Sequence, residues 1–359
     1  MLCPNHGDEG RLVSKAIGYC PVCLEENANY LDEVLKTHRR LRLNKGLVPS
    51  VPRRGNIVCP ECGNHCRLEE GEIGFCNLRT AKDGKIVEMY PGKAIVSYYF
   101  DPLPTNCVAD WVCPVASKNE IERGRKRLKN LAVFYGSCSS DCLFCQNLSY
   151  QDLMKLGTPL RTPEELANVA DDKTACICYF GGDPACNPRH SVETSRILIQ
   201  KNVRVCYETN GNISGKWLGE IADAVWKSKG TIKFDLKAVS ASLYTALTGI
   251  RNEVVLRNFM KLSNRGKQRE TEFLVASILL IPRYIGVSEV ARLCEFIADC
   301  DSTIPTALLG FHPHHVMADL PRTSKAHAEA AHLIAQEAGL SNVRVGNTHL
   351  LSNVDYDFS

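Results

Sequence analysis

The chain has 359 residues, 44% of them hydrophobic, a formal charge of +3 and 18 cysteines. Such a length buries a full core without disulfide staples, and no stretch approaches the roughly 18 uninterrupted apolar residues of a membrane span. The near-neutral charge argues against a polyanionic partner, while many thiols and a start, MLCPNHGDEG, unlike a signal peptide point to a reducing, cytoplasmic setting and to metal ligation.

Along the chain, Cys3-Pro-Asn-His6 and Cys20-Pro-Val-Cys23 are two ligand pairs at zinc-ribbon spacing, each able to wrap one edge of a tetrahedron. They predict a Zn2+ staple in an N-terminal region over residues 1–50. Residues 24–55 read as a charged helix followed by the breaker-rich linker VPSVPRRGN. The basic runs THRRLRLNKG and ERGRKRLKN read as solvated helix faces or linkers in preference to phosphate grips. CPECGNHCRLEEGEIGFC supplies Cys59, Cys62, Cys66 and Cys76, four thiolates suited to zinc or to an iron–sulfur cluster, with spacing alone not choosing. With PLPTNCVADWVCP it forms a cysteine-rich region over residues 51–129. Cys107 and Cys113 within it are buried structural thiols by default, a redox pair or substrate-facing thiols being the alternatives.

Residues 130–359 become regular. Short apolar strands are predicted at LAVFYGS, ACICYF, VRVCYETNG, TIKFDLK, EFLVASILLIP, TALLGFH and VRVGN. Between them lie helical stretches, among them TPEELANVADD with its capping box at Glu165, SVETSRILIQK, ISGKWLGEIADAVWKS, RNEVVLRNFMKLSN, VSEVARLCEFIAD and SKAHAEAAHLIAQEAG. The alternation predicts an α/β fold, a parallel sheet covered by helices as a partial or complete TIM-like barrel.

The first of these strands runs into GSCSSDCLFCQN, whose polar, glycine-flanked character reads as an exposed loop. Cys138, Cys142 and Cys145 stand there in C-x3-C-x2-C spacing. Zinc wants four ligands, whereas three thiolates on a [4Fe–4S] cluster leave one iron open for a small molecule. The ends of later strands carry Gly181-Gly182-Asp183, Glu208-Thr209-Asn210, Asp235 with Lys237, and His312, all directed at one mouth.

This ordered series resembles the radical S-adenosylmethionine (SAM) superfamily. GSCSSDCLFCQN is similar to its cluster motif, and YFGGDP, CYETNG, FDLKAVSASLYTALTG and LLGFHPHH resemble motifs of the pyruvate formate-lyase-activating-enzyme branch. The Cys59–Cys76 set before PGKAIV further resembles the AmmeMemoRadiSam-type subgroup found with Memo-like proteins. The resemblance implies that Cys138, Cys142 and Cys145 ligate a [4Fe–4S] cluster and that SAM chelates its fourth iron. It implies that Phe144 packs on the adenine, that Gly181, Gly182 and Asp183 receive the methionyl amino group, and that Lys237 neutralises the carboxylate. His312 would reach the ribose or the nascent radical, with Lys237, Asp235 and His312 as catalytic residues. Glu208, Thr209, Asn210 and Asp235 complete the implied cofactor-binding set. Glu208, Thr209 and Asp235 fall where activating enzymes hold a monovalent cation, but Glu208 replaces an aspartate and is one methylene longer.

The expectation is therefore an oxidoreductase-like radical SAM enzyme acting on a protein or small-molecule substrate, fed by a flavodoxin or ferredoxin and needing no membrane. Activation of a glycyl-radical enzyme is the alternative within that class. An RNA-modifying or RNA-binding zinc-ribbon protein, against which sparse aromatics near the basic runs speak, and a multi-zinc scaffold are the alternatives outside it.

Overall fold

The computed structural model describes residues 1–7, 11–103, 105, 107–116, 128–269 and 272–358. Most of the run ERGRKRLKN, residues 122–127, lies outside them.

Seven parallel strands form the body: β6 (Lys129–Tyr135), β8 (Thr174–Gly181), β9 (Arg204–Thr209), β10 (Ile232–Asp235), β11 (Leu274–Leu280), β12 (Thr306–Gly310) and β13 (Val343–Gly346). Each predicted strand is present. Parallel neighbours need crossovers, and from β8 onward the helices α5 (Pro188–Gln200), α6 (Gly215–Ser228), α8 (Glu253–Gly266), α9 (Val287–Asp301) and α10 (Lys325–Glu337) supply them. Within TPEELANVADD only Pro163–Ala167 is helical, and its capping box closes as expected, Glu165 N–H donating to Thr162 Oγ1 at 3.2 Å. β5 (Ala94–Pro102) adds antiparallel to β6, and β7 (Leu160–Arg161) pairs with β5, so the sheet runs β13-β12-β11-β10-β9-β8-β6-β5-β7. β13 and β7 are edges, which makes the barrel partial.

Period-two alternation decides which side chains face inward. Cys178 and Phe180 of β8, Glu208 of β9, Ala307 and Leu309 of β12, and Arg344 of β13 line one cavity with Asn130 of β6. Lining shared by β6 and β13, six strands apart, requires the sheet to curl round. Cys107, Val108, Asp110 and Trp111 line the same cavity, and Asp110 pairs with Arg344 at 2.9 Å.

The N-terminal region packs into the same core. Helix α1 (Pro21–Glu26) carries Cys23, and Ser14 N–H donates to the Tyr284 hydroxyl at 3.0 Å while Lys15 N–H donates to Asp319 at 2.7 Å. Helix α2 (Ala28–Asn44) departs from the solvated face expected of THRRLRLNKG, for His38 and Arg42 are buried. Arg42 donates to the carbonyls of Val48 at 2.6 Å and Phe75 at 2.8 Å and lies over the Phe75 ring. VPSVPRRGN is likewise bonded in place, with Gly55 N–H donating to Arg67 O at 3.1 Å and Arg53 to Asn64 O at 2.7 Å. Long basic side chains reach buried acceptors here, which a count of charges along the run does not show.

Candidate active site and metal centres

The loop after β6 is buried, not exposed as its polar residues suggest. Its hydroxyls and amides are consumed internally: Asn210 Nδ2 donates to Ser139 Oγ at 3.0 Å and Ser140 Oγ at 2.9 Å. Asp141, between the first two cysteines, lies 3.0 Å from His38 Nδ1 and 3.4 Å from Arg42 Nη1. Burial opposes its charge, yet these two partners hold the carboxyl below the usual range. Helix α7 (Ala241–Thr248) receives the loop's backbone, Asp141 N–H donating to Thr248 O at 2.8 Å and Leu143 N–H to Leu247 O at 3.0 Å. The LTG stretch thus positions the three-cysteine loop.

Opposite it, Gly182 takes φ +61°, and a Cβ there would stand 2.1 Å from Tyr135 O, so only glycine fits. Asp183 N–H donates to Ser137 O at 2.8 Å. The Asp183 carboxylate accepts from Asn210 N–H and Ala185 N–H, each at 2.7 Å, and from the Thr209 hydroxyl. Burial still pushes its pKa up to about 6.

Cys138, Cys142, Cys145, Phe144, Gly182 and Asp183 line one cavity of about 970 Å³ together with Glu208, Thr209, Asn210, Asp235 and Lys237. Lys237 is buried, bonds Asp235 and faces the Phe144 ring at 5.2 Å. Burial disfavours its charge, but Asp235 and the Cys142 thiol outweigh that and raise its pKa. Burial pushes the Cys142 thiol up to about 12 and also raises Cys138 and Cys145. Gly181 packs against Phe134 outside the lining, and His312 is exposed beyond β12 with its Nδ1 3.0 Å from Pro313 O. Tyr150, Ser277 and Asn347 join the lining.

This space continues into a second cavity through the shared Phe180, Glu208, Leu309 and Asn347. Behind the Cys178, Cys107 and Glu208 side chains that line it lies Lys233, 1% exposed and not legible as a site residue. Its ammonium lies 2.9 Å from Cys178 Sγ, 3.2 Å from Cys107 Sγ and 3.4 Å from Glu208 Oε2. Three donors meet three acceptors. Glu208, aligned with a cation ligand by resemblance, is thus engaged by a protein ammonium. Burial pushes both thiols up, so they stay protonated beside the lysine.

In the N-terminal site the donors of Cys3, His6, Cys20 and Cys23 all lie within 4.8 Å of one another. Cys23 Sγ is 3.7 Å from the sulfurs of both Cys3 and Cys20, and 3.3 Å from His6 Nδ1. A tetrahedral ion with bonds of about 2.3 Å sets its sulfurs about 3.8 Å apart, so these residues fit zinc. Cys59, Cys62, Cys66 and Cys76 are buried and gather beside the three-cysteine loop.

Among the described residues no helix is long and apolar enough to cross a membrane. An uncharacterized protein of Methanocaldococcus jannaschii, MJ0808, is 26% identical over 299 residues, covering 81% of each chain. A domain of a pyruvate-formate lyase-activating enzyme from Bacteroides vulgatus aligns with 48% of this chain and 99% of its own at 16% identity and a TM-score of 0.39. Streptococcus suis SuiB bound to S-adenosylmethionine aligns over 61% of this chain and 51% of its own, with 13% identity and a TM-score of 0.45. Residues 132–297, from β6 through α9, match the Radical SAM superfamily model. Across those residues the chain carries a domain of the Radical SAM superfamily.

Proposed function

We propose that the protein is a radical SAM enzyme that abstracts a hydrogen atom from a small polar substrate held beside Glu208. The observation that carries this reading is one cavity walled by the three loop thiols on one side and by Gly182, Asp183, Asp235 and Lys237 on the other. When bound, a [4Fe–4S] cluster and SAM supply reductive cleavage of the sulfonium to a 5′-deoxyadenosyl radical.

The chain's own residues do the placing. Cys138, Cys142 and Cys145 would hold three irons, and three thiols with no fourth cysteine in the lining suit a cluster open to a ligand. Lys237 sets a positive charge where a carboxylate needs one, while Asp183 and the Gly182 backbone offer acceptors to an amino group. Phe144 gives a flat apolar face. Helix α7 and the Asp141 contacts fix the loop, and Cys107, Val108, Asp110 and Trp111 wall the adjoining cavity.

The adjoining cavity is where a substrate would meet the radical. Its polar walls favour a small molecule or flexible chain end over the folded backbone that a glycyl-radical activase must reach. Burial of Arg42 takes a cation away from an RNA-gripping surface. We further infer a flavodoxin- or ferredoxin-like electron donor, a zinc ion at Cys3, His6, Cys20 and Cys23, and kinship with the AmmeMemoRadiSam-type subgroup. The test is anaerobic reconstitution with iron and sulfide, then incubation with SAM and dithionite. 5′-Deoxyadenosine should form with the native chain and not with Cys142→Ala, and formation by that variant would sink the assignment.

A further inference from the structure

We propose that Cys186 joins Cys59, Cys62, Cys66 and Cys76 in one buried five-thiol site, and that this site holds an iron–sulfur cluster in place of a zinc ion. Cys186 ends the short 3₁₀ turn Pro184–Cys186 immediately after Asp183, more than a hundred positions from the other four. Its thiol lies within hydrogen-bonding reach of the Cys62 and Cys76 thiols, and it packs in one apolar cluster with Cys76. Cys66 in turn neighbours Cys59, Cys62 and Cys76. All five are at most 6% exposed.

One observation separates a cluster from a single ion, and a second shows that the site is anionic. Among the described residues, only the Cys3 group brings three or more donors within 4.8 Å of one another. No three of the five sulfurs therefore come as close together as the roughly 3.8 Å that zinc imposes on its thiolates, whereas a cubane seats its thiolates on separate irons. The second observation is Arg79. It is 4% exposed, with Nη1 2.9 Å from the Cys186 carbonyl and 3.9 Å from Cys76 Sγ, and Glu61 lies 3.7 Å from Nη2. A guanidinium buried against these sulfurs marks the site as anionic, with metal-bound thiolates adding to the charge of Glu61.

The site is joined to the loop described above. Ser137 Oγ donates to Cys76 O at 2.8 Å, and Asn64 Nδ2 donates to Ser139 O at 2.8 Å. One turn thus presents Asp183 to the large cavity and Cys186 to the five-thiol site. The inference uses none of the three loop cysteines, so it stands or falls apart from the SAM reading.

The experiment takes the full chain with Cys138, Cys142 and Cys145 all changed to alanine and reconstitutes it anaerobically with iron and sulfide. Iron, sulfide and zinc are assayed, and the dithionite-reduced protein is examined by electron paramagnetic resonance. About four irons per chain and a cubane signal are expected to remain. Adding Cys186→Ser should lower the iron or change the signal, while the zinc of the N-terminal site stays bound as a check on folding. Zinc without iron in the triple variant overturns the proposal, and so does a Cys186→Ser variant with unaltered iron and spectrum. Should Cys186→Ser not fold, Cys186→Ala is read the same way. If neither folds, the iron content of the triple variant decides.

Discussion

The Lys233 ammonium donates to the Cys178 thiol at 2.9 Å inside the barrel, with Glu208 beside it at 3.4 Å. Removing the lysine strands a carboxylate whose side chain is 27% exposed. Lys233→Met should therefore cost about 2–3 kcal/mol, somewhat under the usual loss for breaking a buried pair because Glu208 keeps some water. Adding Glu208→Gln should recover much of it, since the second change removes the stranded charge. Urea denaturation of the two variants measures both values, and equal losses would contradict the pairing.

Arg42 reaches Asp141 from a helix nearly a hundred positions away and also ties the carbonyls of Val48 and Phe75. Arg42→Met is expected to destabilise by about 3 kcal/mol, because three buried acceptors lose a charged donor. Iron retention at the adjacent loop should fall with it. Iron analysis after gel filtration, beside a denaturation curve, checks both.

Gly182 is the position where any side chain collides with the Tyr135 and Ser137 carbonyls, at 2.1 and 2.5 Å. Gly182→Ala adds left-handed strain of about 1–3 kcal/mol to that collision. It should lower stability and weaken SAM binding by at least tenfold in equilibrium dialysis, because the backbone that shapes the cavity must shift.

Acid sensitivity follows from two buried histidines. Burial lowers His190 and His327 to about 4 each, with His190 held between Tyr135 and the Arg161 carbonyl. Between pH 6.5 and 4 the unfolded chain binds protons that the folded chain refuses, so stability falls as pH drops through that window. Each group contributes on the order of 3 kcal/mol across it. His190→Gln should flatten the slope of Tm against pH there, and an unchanged slope would refute the assignment.

The strands were legible because a buried parallel strand is a short apolar run between breakers, and the three-cysteine loop because its ligands are local in sequence. Lys233 and Cys186 were not. Lys233 sits mid-strand in TIKFDLK, where a lysine reads as solvent-facing, and only closure of the sheet brings Cys107 and Cys178 to it. Cys186 lacks a nearby partner in sequence and gains its meaning from Cys62 and Cys76 across the fold. His38 and Arg42 were hidden for a related reason. Charge along a helix shows which residues are polar, and only the packing of α2 on the loop shows which of them meet an acid.

The contact between Asp110 and Arg344 sets how tightly the segment 107–116 is held against the edge strand β13. Both side chains keep much of their water, 32% and 46% exposed, so this clasp is worth only about 0–1 kcal/mol. Ionic strength should loosen it further. The segment thus rests on a weak electrostatic catch at one point and on a firmer anchor at another, where Cys107 meets the buried ammonium.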